Sequence, residues 1–242
     1  MTPSHDTLVF IPAWNEEQNL PAVLEELRRE LPEVDVLVVD DGSTDETAAV
    51  ARAGGAEVLS FGENRGLQSG IAAGYGWALE HGYAFCGRVD ADGQHPAVEL
   101  KRLLERVRSG SADVAVGSRF VSGDGYEPYR YEPEGIRKLG TGLLRRSMRV
   151  ALGRPFNDAT SGLYAASAKA LPLLAEPYTS GAPEVQALLR LHEAGLHVEE
   201  VPVDMRARAG GESKLRGKKA FLLVVTVIAT LLGAKRLWGR RG

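Results

Sequence analysis

Between residues 8 and 116 the chain alternates short, nearly all-apolar runs with longer stretches of helical spacing, and this alternation constrains the fold more than any other feature. Leu8–Ile11, Val34–Val39, Glu57–Phe61, Ala84–Val89 and Val114–Val116 read as strands. Glu16–Leu31, Thr44–Ala53, Gly66–His81 and Ala97–Ser109 carry the periodicity of helices. Apolar runs without a polar face belong to parallel strands covered on both sides, each joined to the next through a helix. The expected fold class is therefore α/β, a Rossmann-like, mostly parallel central sheet flanked by helices. Gly66, Gly70 and Gly74 recur every fourth residue in one predicted helix. Such a stripe lowers helix propensity and is read as letting that helix lie close against the sheet.

In such sheets ligands bind beyond the carboxyl ends of the strands, and the chain puts polar clusters there. Pro12-Ala13-Trp14-Asn15-Glu16 follows the first strand, Asp40-Asp41-Gly42-Ser43 the second and Asp90-Ala91-Asp92-Gly93-Gln94 the fourth. No Gly-x-Gly-x-x-Gly follows the first strand and no Walker-type loop occurs, so the dinucleotide and P-loop fingerprints are missing. Asp90, Asp92 and Gln94 offer two carboxylates and an amide oxygen, hard ligands suited to Mg2+ or Mn2+. Such an ion completes its shell with substrate phosphate and water, which fits a nucleotide diphosphate whose departing charge it neutralises. Read alone, Asp92 or Gln94 equally suits a cap for the helix beginning near Pro96. Asp40 and Asp41 suit a nucleobase N–H near the metal, while Asp41-Gly42-Ser43 is also an ordinary turn with Ser43 or Thr44 as N-cap.

Beyond Gly117, Val121–Gly135 reads as a long loop and Ile136–Leu152 as an amphipathic helix. Ile136, Leu139, Leu143 and Val150 share one side of that helix, and Lys138, Arg145, Arg146 and Arg149 the other. Leu163–Ser167 and His197–Met205 are expected strands, with helices at Ala168–Leu174 and Glu184–Ala194 between them. No repeat and no linker interrupts residues 1–216, taken as one domain followed by a C-terminal helical extension over 217–242. In that extension Ala220–Ala234 is an apolar run of 15 residues. Its helix would be roughly 22 Å long, short of the ~30 Å hydrocarbon core. Lys218, Lys219, Lys235, Arg236, Trp238, Arg240 and Arg241 flank it, a pattern suited to the headgroup layer; packing on the domain or on a second copy is the other reading.

Charge divides along the chain in the same sense. Arg206–Gly242 holds ten Lys or Arg against Glu212 alone, a net +9, so the remainder carries −12 of the total −3. An apolar, basic tail favours an anionic lipid surface. Nucleic acid is not expected, since the tail lacks interleaved aromatics and the core is acidic. The single cysteine, Cys86, excludes an internal disulfide and a cysteine-based zinc site. The N-terminus lacks a secretion-signal pattern, so the expected location is cytoplasmic, peripheral on the cytoplasmic face of a membrane. Nothing in the sequence specifies an oligomeric state.

Taken in order, Ile11-Pro12-Ala13-Trp14-Asn15-Glu16, Val38-Val39-Asp40-Asp41-Gly42-Ser43-Thr44-Asp45, Asn64-Arg65-Gly66, Asp90-Ala91-Asp92-Gly93-Gln94-His95-Pro96 and Gly117-Ser118-Arg119-Phe120 resemble family 2 glycosyltransferases. More narrowly they resemble the dolichyl- or polyprenyl-phosphate mannosyl- and glucosyltransferases. Phe156-Asn157-Asp158-Ala159-Thr160-Ser161-Gly162, Glu200-Val201-Pro202 and Gly211-Glu212-Ser213-Lys214 extend the likeness over roughly residues 6–216. The resemblance implies a GT-A fold, Mg2+ or Mn2+, and inverting transfer of a hexose from a GDP-mannose- or UDP-glucose-like donor to a polyprenyl phosphate or other glycolipid acceptor.

By the same resemblance Pro12, Asn15 and Glu16 line the nucleotide pocket with Asp40, and Asp41 and Arg65 border the nucleotide sugar. Asp90, Asp92 and Gln94 surround the metal and diphosphate, with Asp92 counted as catalytic. Arg119 meets the acceptor phosphate, helped by Arg137 and Arg208, and Ser213 and Lys214 belong to a loop closing on the donor. Trp14 stands where many relatives have Tyr, and Pro183-Glu184-Val185-Gln186 departs from the Gln-x-Glu order of the mannosyltransferases. A phosphate monoester is already an oxyanion at neutral pH and needs cations to aim it more than a base. Transfer to a sugar hydroxyl would instead need a carboxylate base, for which Asp158 and Glu184 are the candidates. A non-catalytic nucleotide-sugar-binding protein is the remaining alternative, and the intact Asp-x-Asp-x-Gln argues against it.

Overall fold

The computed structural model describes residues 3–128, 148, 149 and 152–206. Seven strands among them form one sheet: β1 (Thr7–Ala13), β2 (Asp35–Asp40), β3 (Glu57–Ser60), β4 (Phe85–Arg88), β5 (Val114–Ser118), β6 (Tyr164–Ser167) and β7 (Val198–Pro202). Their order is β3-β2-β1-β4-β6-β5-β7. All neighbours pair parallel except β6, which runs antiparallel to both β4 and β5. Each expected strand is present, with bounds shifted by a few residues.

Alternation along each strand sorts side chains to two faces. Leu8, Phe10, Leu37 and Val39 join one apolar cluster, while Val9, Ile11 and Val38 join the other. The first face is covered by α3 (Leu67–Glu80), α5 (Leu171–Leu174) and α6 (Pro183–Glu193). The second is covered by α1 (Leu20–Glu30), α2 (Thr47–Ala53) and α4 (Ala97–Arg108). The glycine stripe does what its spacing predicts at two of its three positions. A Cβ on Gly74 would fall 2.2 Å from Phe10 Cδ2, and one on Gly70 would touch Pro12 Cβ at 3.4 Å. Gly66 differs: it is the N-cap of α3 with φ +89°, a conformation glycine adopts without steric cost.

α1 and α2 start later than their periodicity predicts, because the polar residues ahead of each are spent on loop contacts. β1 in turn runs past Ile11 to Ala13. Its pairing with β4 stops at Phe10↔Arg88 while pairing with β2 continues to Ala13↔Asp40, so Pro12 sits where one neighbour has already been lost and its missing N–H is tolerated. The single antiparallel strand matters most for function. The parallel strands β1, β2, β4, β5 and β7 end at one edge of the sheet, and β6 starts there, at Arg88↔Tyr164. Residues 156–163 are thereby delivered to the edge that carries the acidic clusters.

Of the expected helix over residues 136–152, Met148 and Leu152 are buried and Arg149 is exposed. The rest of it, including Arg137, and Arg208, Ser213, Lys214 and Ala220–Ala234, lie outside the described residues. Among the described residues no helix is long and apolar enough to cross a membrane.

Candidate active site

The loops after β1 and β2 are stitched together by side chains bonded to main chain. Asn15, at φ +55°, accepts from Thr44 N at 2.8 Å, and its own N–H donates to Ser43 Oγ at 3.0 Å. Asn tolerates this left-handed conformation better than most residues. Glu16 N donates to Thr47 Oγ1 at 2.8 Å, and Glu16 Oε2 accepts from Asn19 Nδ2 at 2.8 Å. Asp40 is buried and accepts from Ser43 N at 2.9 Å and Ser60 Oγ at 2.8 Å. Asp41, also buried, accepts from Arg65 N at 2.6 Å and Gly66 N at 2.9 Å, tying the start of α3 to the end of β2. Between them Gly42 is obligatory: its φ is +68°, and a Cβ there would meet Glu63 backbone carbon at 2.2 Å. Pro12 is buried in β1, and Arg65 is exposed, 3.4 Å from Glu63 and over the Phe61 ring.

Beyond β4 the chain turns through Asp90–Gln94. Gln94 N donates to Asp92 Oδ1 at 3.1 Å, so Asp92 shapes the turn but does not cap the helix as its alternative reading expects: α4 has Pro96 at its N-cap and no side-chain cap. Asp90 N donates to His95 Nδ1 at 3.1 Å, which leaves the proton of a neutral imidazole on Nε2. Burial pushes the His95 imidazole below its ordinary value, although Asp90 and Asp92 pull the other way. Gln94 is held from the far end of the sheet: Arg206 N donates to Gln94 O at 3.0 Å, and the Arg206 guanidinium grips Glu26 at 2.6 and 2.9 Å.

Two residues behind Asp90 lies Arg88, which the sequence reading passed over. Its side chain is 3% exposed, and Nη2 lies 3.3 Å from Asp90 Oδ1 and 3.1 Å from Glu184 Oε1. Burial works against its charge, and the two carboxylates more than offset that. Burial raises the Glu184 carboxyl above its usual range, opposed by Arg88. An arginine in an otherwise apolar buried strand was the available signal, because such a charge is kept only with partners. Gln186, the other polar residue of that segment, caps a loop instead, accepting from Thr179 N and Ser180 N at 3.1 and 3.0 Å.

At the ends of β5 and β7 an ion pair joins the bonds from backbone N–H groups. Asp158 is fully buried and meets Arg119 in a two-pronged pair, Nε to Oδ2 and Nη2 to Oδ1 both at 2.7 Å, with Arg119 N adding a third contact at 3.2 Å. Glu200 on β7 pins the loop that carries Asp158, accepting from Asn157 N and Asp158 N, each at 2.9 Å. The geometry thus gathers Asn15, Glu16, Asp40, Asp41, Asp90, Asp92, Gln94, Arg119, Asp158 and Glu184 along one edge. Among the described residues no three His, Cys, Asp or Glu side chains converge as a ready-made metal cage. Two carboxylates and an amide suit an oxygen-loving divalent ion that takes further ligands from a substrate, and they do not suit zinc in a closed site.

Comparison with known proteins gives the family and the fold. The model of glycosyl transferase family 2 matches residues 8–164. The polyprenol monophosphomannose synthase of Mycolicibacterium smegmatis is 34% identical over 89% of this chain and 83% of its own length. The undecaprenyl-phosphate mannosyltransferase of Micrococcus luteus is 36% identical over 94% of this chain and 95% of its own. Among solved structures, glucosyl-3-phosphoglycerate synthase from Mycobacterium tuberculosis in complex with UDP superposes with a TM-score of 0.68 at 23% identity, over 96% of this chain and 80% of that one. The same enzyme with Mn2+, UDP and glucosyl-3-phosphoglycerate gives 0.67 at 22%, over the same shares of the two chains. The fold is therefore that of the GT-A glycosyltransferases.

Proposed function

The chain belongs to glycosyl transferase family 2, and we propose that it transfers a hexose, with inversion, from a nucleotide diphosphate sugar to a polyprenyl phosphate at a membrane surface. Two relatives that match over most of their length are named for a polyprenol or undecaprenyl phosphate, and both names specify mannose. Mannose carried on GDP is therefore the leading donor, and UDP-glucose the one to test beside it.

The observation that carries the acceptor assignment is the Arg119–Asp158 pair. A base must have a lone pair to offer, and each oxygen of the buried Asp158 already accepts two bonds, Oδ2 from Arg119 N and Nε, Oδ1 from Arg119 Nη2 and Thr160 Oγ1. Asp158 is thus an anchor that aims Arg119, whose side chain stays 33% exposed. An aimed cation is what an acceptor already ionised at neutral pH requires. Asn15, Glu16, Asp40 and Asp41 hold the shape of the nucleotide pocket, with Arg65 at its rim. Asp90, Asp92 and Gln94 would hold Mg2+ or Mn2+, which when bound supplies Lewis-acid neutralisation of the leaving diphosphate. Arg137, Arg208, Ser213 and Lys214 are proposed to complete the phosphate contacts, and the apolar, basic stretch 217–242 to meet the lipid surface.

One feature favours a different acceptor. Glu184 lies at the site with its carboxyl raised by burial, as a base for a sugar hydroxyl would be. Incubating the protein with a panel of nucleotide sugars, Mg2+ or Mn2+ and a short polyprenyl phosphate is expected to give labelled lipid with GDP-mannose. Turnover with a free glycan and none with any lipid phosphate, abolished by Glu184→Gln with donor binding intact, would transfer the assignment to the hydroxyl acceptor.

A further inference from the structure

Arg88 has no part in the proposal above, yet it grips the same Asp90 carboxylate. It closes β4 two residues before Asp90, and its guanidinium is shared between Asp90 Oδ1 at 3.3 Å and Glu184 Oε1 at 3.1 Å, 96 residues away in sequence. It is not fully satisfied. Arg88 Nε and the hydroxyl of Tyr164 are buried without hydrogen-bond partners, and both residues line a cavity of about 10 Å3, room for a single water, beside Tyr75, Tyr178 and Glu184. A core position that served packing alone would be filled more favourably by an apolar side chain of similar volume.

The other side of Asp90 is confined as well. A Cβ on Gly162, at the start of the β6 segment, would fall 2.3 Å from Asp90 Oδ2. The carboxylate therefore stands between a buried guanidinium and a bare backbone, with little room to rotate. Without Arg88, Asp90 and Glu184 would face each other as like charges.

We propose that Arg88 is a positioning residue for the divalent-cation site: it holds Asp90 by one oxygen, counter-anchored on Glu184, in the orientation that presents the carboxylate to the ion. This rests on the metal-dependent reading above. Partners standing behind a metal ligand are worth roughly 10–100-fold in metal affinity.

The test is Mn2+ binding, followed by the paramagnetic signal of the free ion, with GDP saturating and no acceptor present. The unaltered chain is compared with the Arg88→Met/Glu184→Leu double variant, which removes both charges at similar volume, and with Arg88→Lys, which keeps the charge but cannot span two acids. Circular dichroism and thermal melting establish which variants fold. The double variant is expected to bind Mn2+ roughly 10–100-fold more weakly, and Arg88→Lys to fall between it and the unaltered chain. Affinity equal to the unaltered chain's, in whichever variant folds, overturns the role of Arg88. Failure of the unaltered chain itself to bind Mn2+ beside GDP would instead overturn the metal reading beneath it.

Discussion

The two halves of the site edge are held by different chemistry. On the β1–β2 side, side chains cap main chain: Asn15 on Thr44, Asp40 on Ser43, Asp41 on Arg65 and Gly66. On the β5–β7 side Glu200 caps main chain too, at Asn157 and Asp158, but what it holds in place is a buried ion pair, Arg119 on Asp158. Bonds to backbone N–H groups fix the shape of a loop, which a nucleotide pocket needs. Ion pairs fix the place of a cation, which an anionic acceptor needs. The division predicts that damage on one side should leave the other side's ligand binding in place.

The sharpest way to break the comparison is Asp158→Asn. It leaves Arg119 without its charged partner at a buried site, a change that costs about 3–5 kcal/mol when a buried pair is broken, with the lower end expected because Arg119 is partly exposed. Urea unfolding should show that loss, and transfer to polyprenyl phosphate should fall by roughly 100-fold or more, while GDP binding measured by calorimetry stays near that of the unaltered chain. Asp41→Asn is the matching cut on the donor side. A carboxamide offers one acceptor oxygen where two N–H groups now donate, so a loss of about 1–3 kcal/mol is expected. Here GDP affinity should drop and the rate at saturating donor should hold. Equal loss of GDP binding in both variants would erase the distinction between the halves.

Gly74→Ala sharpens the comparison from outside the site. The added methyl would fall 2.2 Å from Phe10 Cδ2, so α3 must lift from β1. Overpacking of this kind costs about 1–3 kcal/mol. Because Gly66 at the head of α3 donates to Asp41, the shift is expected to weaken nucleotide binding more than the response to acceptor concentration. A loss of stability with GDP affinity unchanged would show that the donor loop does not depend on how α3 is seated.

The same division explains what could be read in advance. Every strand of the sheet was legible; the buried parallel strands β1 and β2 announce themselves most plainly, as short apolar runs between turn residues, and half-exposed β3 and antiparallel β6 less so. The acids proposed to meet the donor stood out in the sequence because they lie at the ends of those runs. Gly70 and Gly74 were read correctly as a close-packing stripe, while Gly66, sharing the spacing, proved to be a cap whose reason is its φ. The ion pairs were not legible locally, since they join residues far apart, Arg119 to Asp158 over 39 positions and Arg88 to Glu184 over 96. No local pattern encodes such partners. Nor does one encode the reversal of β6, which depends on what its neighbours leave open.

The smallest expected effect lies at the opposite edge of the sheet, where each half carries one carboxyl held below its ordinary range. Beneath β5, the bond from His197 N at 2.9 Å lowers Asp113, and Lys169 at 3.2 Å adds to it. Beneath β2, burial works to raise Asp35, but His5, Tyr83 and the N–H groups of Ser4 and His5 outweigh it. A carboxyl of depressed pKa stays ionised in the folded chain where the unfolded chain, near 3.9, has begun to bind a proton. Its stabilisation is therefore present above about pH 4 and is lost as pH falls through the lower folded value. Asn at position 113 can still accept from His197 N but cannot titrate. Urea midpoints at about pH 5.5 and about pH 3 should accordingly converge more in Asp113→Asn than in the unaltered chain, and Asp35→Asn should do the same for its own half. If Asp113→Asn loses as much between the two pH values as the unaltered chain does, the acid sensitivity of the β5–β7 half arises elsewhere, and its ion pairs nearer the site become the place to look.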